Sequence, residues 1–120
     1  MNERDENLLL NIKDEAEVLL EITDGYDLQS FLDNELLKRG VSMALITIGE
    51  FVKSLSEDFK KKNQEVPWRF IAGLRDIAAH GYHTLQMERI WDVVIKDVPE
   101  LLELVKGILL TEEGEREGNY

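Results

Sequence analysis

Residues 41–59 read VSMALITIGEFVKSLSEDF, and the placing of the large apolar side chains in this stretch decides the fold class. Val41, Leu45, Ile48, Val52, Leu55 and Phe59 follow one another in steps of four and three, the spacing of one face of an α-helix packed on its neighbours. Outward from this seam, Asp27 is a good N-cap, and the pattern predicts one helix from Asp27 to about Lys62. Such a helix would be roughly 50 Å long at about 1.5 Å per residue, so Gly40 or Gly49 is expected to mark a bend or the close approach of a neighbour. The stretch Lys60-Lys61-Lys62-Asn63-Gln64 closes it, with cations suited to a helix C-terminus.

A first helix is predicted from about Asp5 to Ile22, with Leu8, Ile12, Ala16, Leu19 and Leu20 near helical spacing and Asp24-Gly25 as its stop. Pro67 suits the first turn of a third helix that runs to Ala79, with Gly81 just beyond. A fourth begins near Leu85 and carries Ile90, Trp91, Val94 and Ile95. Asp97-Val98-Pro99-Glu100 then reads as a fresh start, Asp as cap and Glu three residues on, leading into Leu101, Leu102, Val105, Ile108 and Leu109. The expected fold class is all-α, a four- to five-helix up-and-down bundle. Residues 1–110 form one domain, and Thr111 to Tyr120, rich in Glu and Gly, form a flexible acidic tail.

Composition narrows the function classes. The 120 residues contain no cysteine, so disulfides and thiolate metal sites are excluded and a reducing cytoplasm is the expected setting. No apolar run is long enough to cross a bilayer, and the N-terminus does not read as a signal peptide. The net charge of −11 argues against a general nucleic-acid binder. The charge is unevenly spread: residues 1–27 carry −7, residues 28–82 carry +1 and residues 83–120 carry −5. His80 and His83 are three apart, but no third histidine or carboxylate is spaced to complete a shell, and no metal or other cofactor is expected.

The segment with chemistry is Gly73-Leu74-Arg75-Asp76-Ile77-Ala78-Ala79-His80-Gly81-Tyr82. Arg75 and His80 are five apart, about 140° around a regular helix, so they converge only where the helix ends, and Gly81 can end it. Asp76 and His80 share a face four apart, which lets the carboxylate hold one imidazole tautomer. An arginine to clamp phosphate and a histidine to move protons suit metal-free RNA cleavage through the ribose 2′-OH. That reaction wants both a base and an acid, so two chains lining one cleft would supply what one lacks. On physical grounds alone the same residues equally suit surface ion pairs (Arg75, Asp76), a C-terminal helix cap (His80) and a half-buried aromatic (Tyr82).

With its context, the segment resembles the HEPN superfamily, and within it the HepT-like toxins paired with a minimal nucleotidyltransferase. Arg75 to His80 matches the superfamily motif of Arg, four to six residues, then His. Tyr82 completes the R-x4-H-x-Y extension. Ile48-Gly49-Glu50, Pro67-Trp68-Arg69, Gly73-Leu74-Arg75, Trp91 and Asp97-Val98-Pro99-Glu100-Leu101 also fit the pattern. The resemblance implies a homodimeric helical bundle whose Arg75 and His80 line a cleft, supported by Asp76, with metal-independent endoribonuclease activity on RNA such as tRNA or mRNA and no DNA substrate. It further implies an MntA-like nucleotidyltransferase antitoxin that AMPylates Tyr82. The competing expectation is a non-catalytic nucleotide-binding or docking subunit of a nucleotidyltransferase complex. The chain departs from the pattern in having Asp76 where many relatives have Asn, in His83-Thr84-Leu85-Gln86, and in its acidity.

Overall fold

In a computed structural model, which describes residues 1–79 and 84–117, the described residues form helices joined by short turns, with no strand among them. The long elements are α1 (Glu3–Thr23), α3 (Glu35–Ser54), α5 (Trp68–Ala79), α6 (Thr84–Asp92) and α7 (Val98–Glu117); α2 (Leu28–Leu32) and α4 (Glu57–Lys62) are short. The Asn2 side chain accepts from the Asp5 N–H to start α1, and Gly25, at φ 83°, turns the chain after its end. Only glycine adopts that backbone without strain.

The helix expected from Asp27 to Lys62 is instead three helices. Asn34 and Ser56 are the reason: each side chain accepts the backbone N–H three residues on, at Leu37 and Phe59, and each residue has an extended backbone. Short polar side chains of this kind compete with the helix ladder and restart it as N-caps. The apolar seam survives the breaks, because Val41, Leu45, Ile48, Val52, Leu55 and Phe59 are all buried.

Asp97-Val98-Pro99-Glu100 does not start a new helix. The backbone from Thr84 to Glu117 is helical throughout, and Val93–Asp97 is a π-helical turn in which the Val98 N–H reaches the Val93 carbonyl. Pro99 explains the widening: it has no N–H for the carbonyl four residues back, and its ring crowds that carbonyl. α7 continues through Thr111 to Glu117.

Contacts at the helix ends set the directions of the rods. Asp5, in the first turn of α1, accepts hydrogen bonds from the Ser56 N–H (2.9 Å) and hydroxyl (2.6 Å) just beyond the end of α3, while Ile22 near the end of α1 lies by Gly40 near the start of α3. α1 and α3 are therefore antiparallel. Trp68 at the start of α5 packs on Phe59 of α4, ring centroids 5.6 Å apart, so α5 starts where α3 finishes and runs back along it. The Met1 amino group meets Glu112 of α7 at 3.7 Å, closing an up-and-down arrangement of α1, α3, α5 and the α6–α7 rod. One continuous cluster of buried side chains fills the interior, and Phe31 of α2 stacks on Trp91 of α6 at 4.8 Å to seal one end.

Candidate functional site

The site is built where α5 crosses α3. A Cβ placed on Gly49 would sit 3.0 Å from the Arg75 Cβ and 3.1 Å from both the Ala72 carbonyl oxygen and the Arg75 nitrogen. Two of those three neighbours are backbone, so only glycine permits this approach. The expectation that Gly40 or Gly49 marks a close neighbour is thus met at Gly49; the nearest atom to a Cβ at Gly40 is an Ile22 methyl at 3.8 Å.

The close approach brings Arg75 beside the next residue of α3. The Arg75 Nε donates to the Glu50 carboxylate in an ion pair, with the two side chains 45% and 49% exposed. At that exposure the pair is screened by solvent and contributes at most about 1 kcal/mol to stability. Its consequence is geometric. Holding Nε fixes the plane of the guanidinium while its terminal nitrogens keep their donors for another anion. Glu50 was visible in the sequence only as part of an Ile48-Gly49-Glu50 pattern with no role. Its signal was latent: a carboxylate directly after a glycine that forces contact can meet only what the neighbouring helix presents.

Asp76 is exposed on α5, next to Arg75 and turned away from the core residues Ile71, Leu74 and Ala78. His80, Gly81, Tyr82 and His83 lie outside the described residues. α5 is described as far as Ala79, and the Gln86 side-chain amide on α6 donates to the Ile77 carbonyl, linking the two helices. Ser42 lies two turns before Gly49 on α3, hence level with the end of α5 in the antiparallel register. It is buried, and its hydroxyl has no hydrogen-bond partner among the described residues.

Among the described residues, no three of His, Cys, Asp and Glu gather closely enough to share a metal ion, and no helix is long and apolar enough to cross a membrane. A cavity of about 900 Å³ lies elsewhere, lined by Asp5, Ser56, Lys62, Glu103 and Glu112 among others. It shares no residue with the Arg75–Glu50 pair.

An up-and-down helical bundle with an arginine pinned at a helix crossing, just before a His-Gly-Tyr sequence, defines a class: the HEPN-type bundles. The profile of the family described as Ribonuclease HepT-like matches residues 12–108. The chain belongs to this HepT-like family of the HEPN superfamily. It is 38% identical over 105 residues to "Putative RNase TTE0752" of Caldanaerobacter subterraneus subsp. tengcongensis, covering 88% of this chain and 94% of that one. It is 36% identical over 113 residues to "Putative RNase MJ0127" of Methanocaldococcus jannaschii, covering 94% and 90%. With "Probable ribonuclease HepT" of Thermococcus cleftensis it shares 32% identity over 101 residues, covering 84% and 92%. No solved structure matches the chain.

Proposed function

We propose that this chain is a metal-independent endoribonuclease, the toxin of a toxin–antitoxin pair, acting as a homodimer on RNA. The observation that carries the reading is the Arg75 guanidinium, oriented by Glu50 at a glycine-enforced crossing, on the helix that precedes His80 and Tyr82 in the sequence. The names of its relatives support RNA as the substrate.

In this mechanism Arg75 binds a non-bridging oxygen of the scissile phosphate and stabilises the charge that grows there. His80 takes the proton from the ribose 2′-OH as the 2′ oxygen attacks phosphorus. The bond to the 5′ oxygen breaks, and a second histidine, from the partner chain, returns a proton to that leaving oxygen. The products are a 2′,3′-cyclic phosphate and a 5′-hydroxyl. Asp76 holds the imidazole tautomer.

Two features favour a dimer with α3 at its centre. Leu36, Gly40, Met43, Thr47 and Glu50 follow one another in steps of four and three along α3, opposite the buried seam; Leu36 and Met43 are 81% and 62% exposed. That stripe carries no charge until Glu50, which Arg75 neutralises, and in a chain of net charge −11 it is a surface on which two copies can approach. A nucleotidyltransferase antitoxin would silence the site by adding AMP to Tyr82, placing bulk and negative charge where RNA phosphate must enter.

The test is cleavage of single-stranded RNA or tRNA by the purified protein in EDTA. Wild type cuts, and His80→Ala and Arg75→Ala lose the activity while keeping the helical circular dichroism. Wild type that leaves every RNA intact would sink the nuclease reading. Nucleotide binding without cleavage, unaffected by His80→Ala, would favour the docking-subunit alternative.

A further inference from the structure

Glu50 is an unexpected neighbour for a phosphate-binding arginine. The pair by itself is neutral, but a phosphate bound at Arg75 leaves the site with a net negative charge. In a chain of net charge −11, a carboxylate then stands beside the cation assigned to the RNA backbone, and it repels any polyanion. Aiming Arg75 does not require that charge, since a neutral amide oxygen or a backbone carbonyl can also accept from Nε. Stability does not require it either, because the pair is half exposed.

The geometry of the pair shows what the carboxylate can do. Nε is the guanidinium nitrogen nearest the arginine stem, so Glu50 lies to one side of the group and the two terminal nitrogens remain for a phosphate. Among the described residues Glu50 has no partner other than Arg75. A carboxylate has about four lone-pair sites and donates nothing, so those left over can take only a donor. The pair therefore presents donors for a phosphate and, next to them, acceptors for a hydroxyl. In a nucleic-acid backbone the donor that stands beside the phosphates is the ribose 2′-hydroxyl, which DNA lacks. The hydroxyl on the 5′ side of the scissile phosphate gives its proton to His80 in the mechanism above. The hydroxyl on the 3′ side is not consumed.

We propose that Glu50 selects RNA over DNA: its remaining carboxylate oxygen accepts a hydrogen bond from the 2′-hydroxyl of the nucleotide on the 3′ side of the phosphate held by Arg75. This rests on the ribonuclease reading, which puts the scissile phosphate at Arg75. With RNA, a hydrogen bond to a charged acceptor offsets the repulsion between the carboxylate and the backbone. A deoxyribose strand has no donor there and meets the repulsion alone. The discrimination comes from excluding DNA as well as from holding RNA.

The experiment measures, by fluorescence anisotropy, binding of short single strands of one sequence to full-length His80→Ala, which does not cut them. The strands are RNA, DNA and 2′-O-methyl RNA. His80→Ala binds RNA about tenfold more tightly than DNA, the factor expected of a hydrogen bond to a charged group. The 2′-O-methyl strand, which keeps the substituent but not the donor, binds as weakly as DNA. Adding Glu50→Met, of similar length but without charge or a carboxylate acceptor, brings the ratio of RNA to DNA affinity to about one. Adding Glu50→Gln instead, which keeps an acceptor oxygen, retains a preference for RNA. If Glu50 only aimed Arg75, Glu50→Met would weaken RNA and DNA by the same factor, and that unchanged ratio would overturn the proposal. Equal binding of RNA and DNA by His80→Ala would overturn it too, with the nuclease reading left standing. A protein that binds no RNA overturns both.

Discussion

At the scale of single residues, the Gly49–Glu50 pair separates stability from function. Gly49→Ala puts a methyl group 3.0 to 3.1 Å from Arg75 and the α5 backbone, and α5 must move away to admit it. We expect a loss of about 1–3 kcal/mol in urea unfolding, together with most of the RNase activity. Glu50→Ala acts the other way round. The ion pair is half exposed, so unfolding free energy changes by less than about 1 kcal/mol, while Arg75 loses the contact that aims it and turnover falls. Equal turnover in Glu50→Ala and wild type would remove Glu50 from the site. Arg75 is singled out in the sequence by its spacing to His80 and by the family pattern. The carboxylate that orients it is not, because Glu50 is 25 positions away and the two meet only through the packing of separate helices.

At the scale of the elements, caps and bends decide more than apolar spacing does. Asp5 is 2% exposed and accepts both the backbone N–H and the hydroxyl of Ser56, the residue that starts α4. Asp5→Ala strands those donors in a buried place, and thermal or urea unfolding should show a loss of about 1–3 kcal/mol. The π turn yields a pH prediction. Burial, reinforced by the nearby Glu100, pushes the Asp97 carboxyl above its ordinary value. In the window between the ordinary and the raised value the folded state binds more protons than the unfolded one, so stability falls as pH rises through it. Asp97→Asn removes that penalty: the variant is slightly more stable than wild type at neutral pH, and the difference fades below the ordinary aspartate range. Asp27 behaves oppositely, since hydrogen bonds from Ser30, the backbone N–H foremost, hold its carboxyl below the ordinary value. Its contribution is present above the ordinary value and is lost as pH falls through the lowered one.

At the scale of the whole molecule, two copies of a chain with net charge −11 can share an interface only where charge is absent or paired. The α3 stripe through Leu36 and Met43 meets that condition. Light scattering of Leu36→Glu/Met43→Glu should report a monomer with native helicity and no nuclease activity, because one chain supplies one side of the proposed site. A variant that stays dimeric and active places the interface elsewhere.

The amino-acid sequence alone determined the helical class, the burial of the seam from Val41 to Phe59 and the start of α5 to within a residue. Each of these depends on local spacing or on a local stop signal, which a chain carries in order. Tertiary structure decided the rest. Whether Asn34 and Ser56 interrupt a helix depends on the competition between a side-chain cap and a ladder hydrogen bond, settled by where the flanking residues can be buried. The π turn at Val93–Asp97 reconciles Pro99 with a rod whose Trp91, Val94 and Val98 must all reach the core. The union of Glu50 with Arg75 follows from an antiparallel crossing at Gly49, and a contact between distant segments is set by packing rather than by sequence spacing.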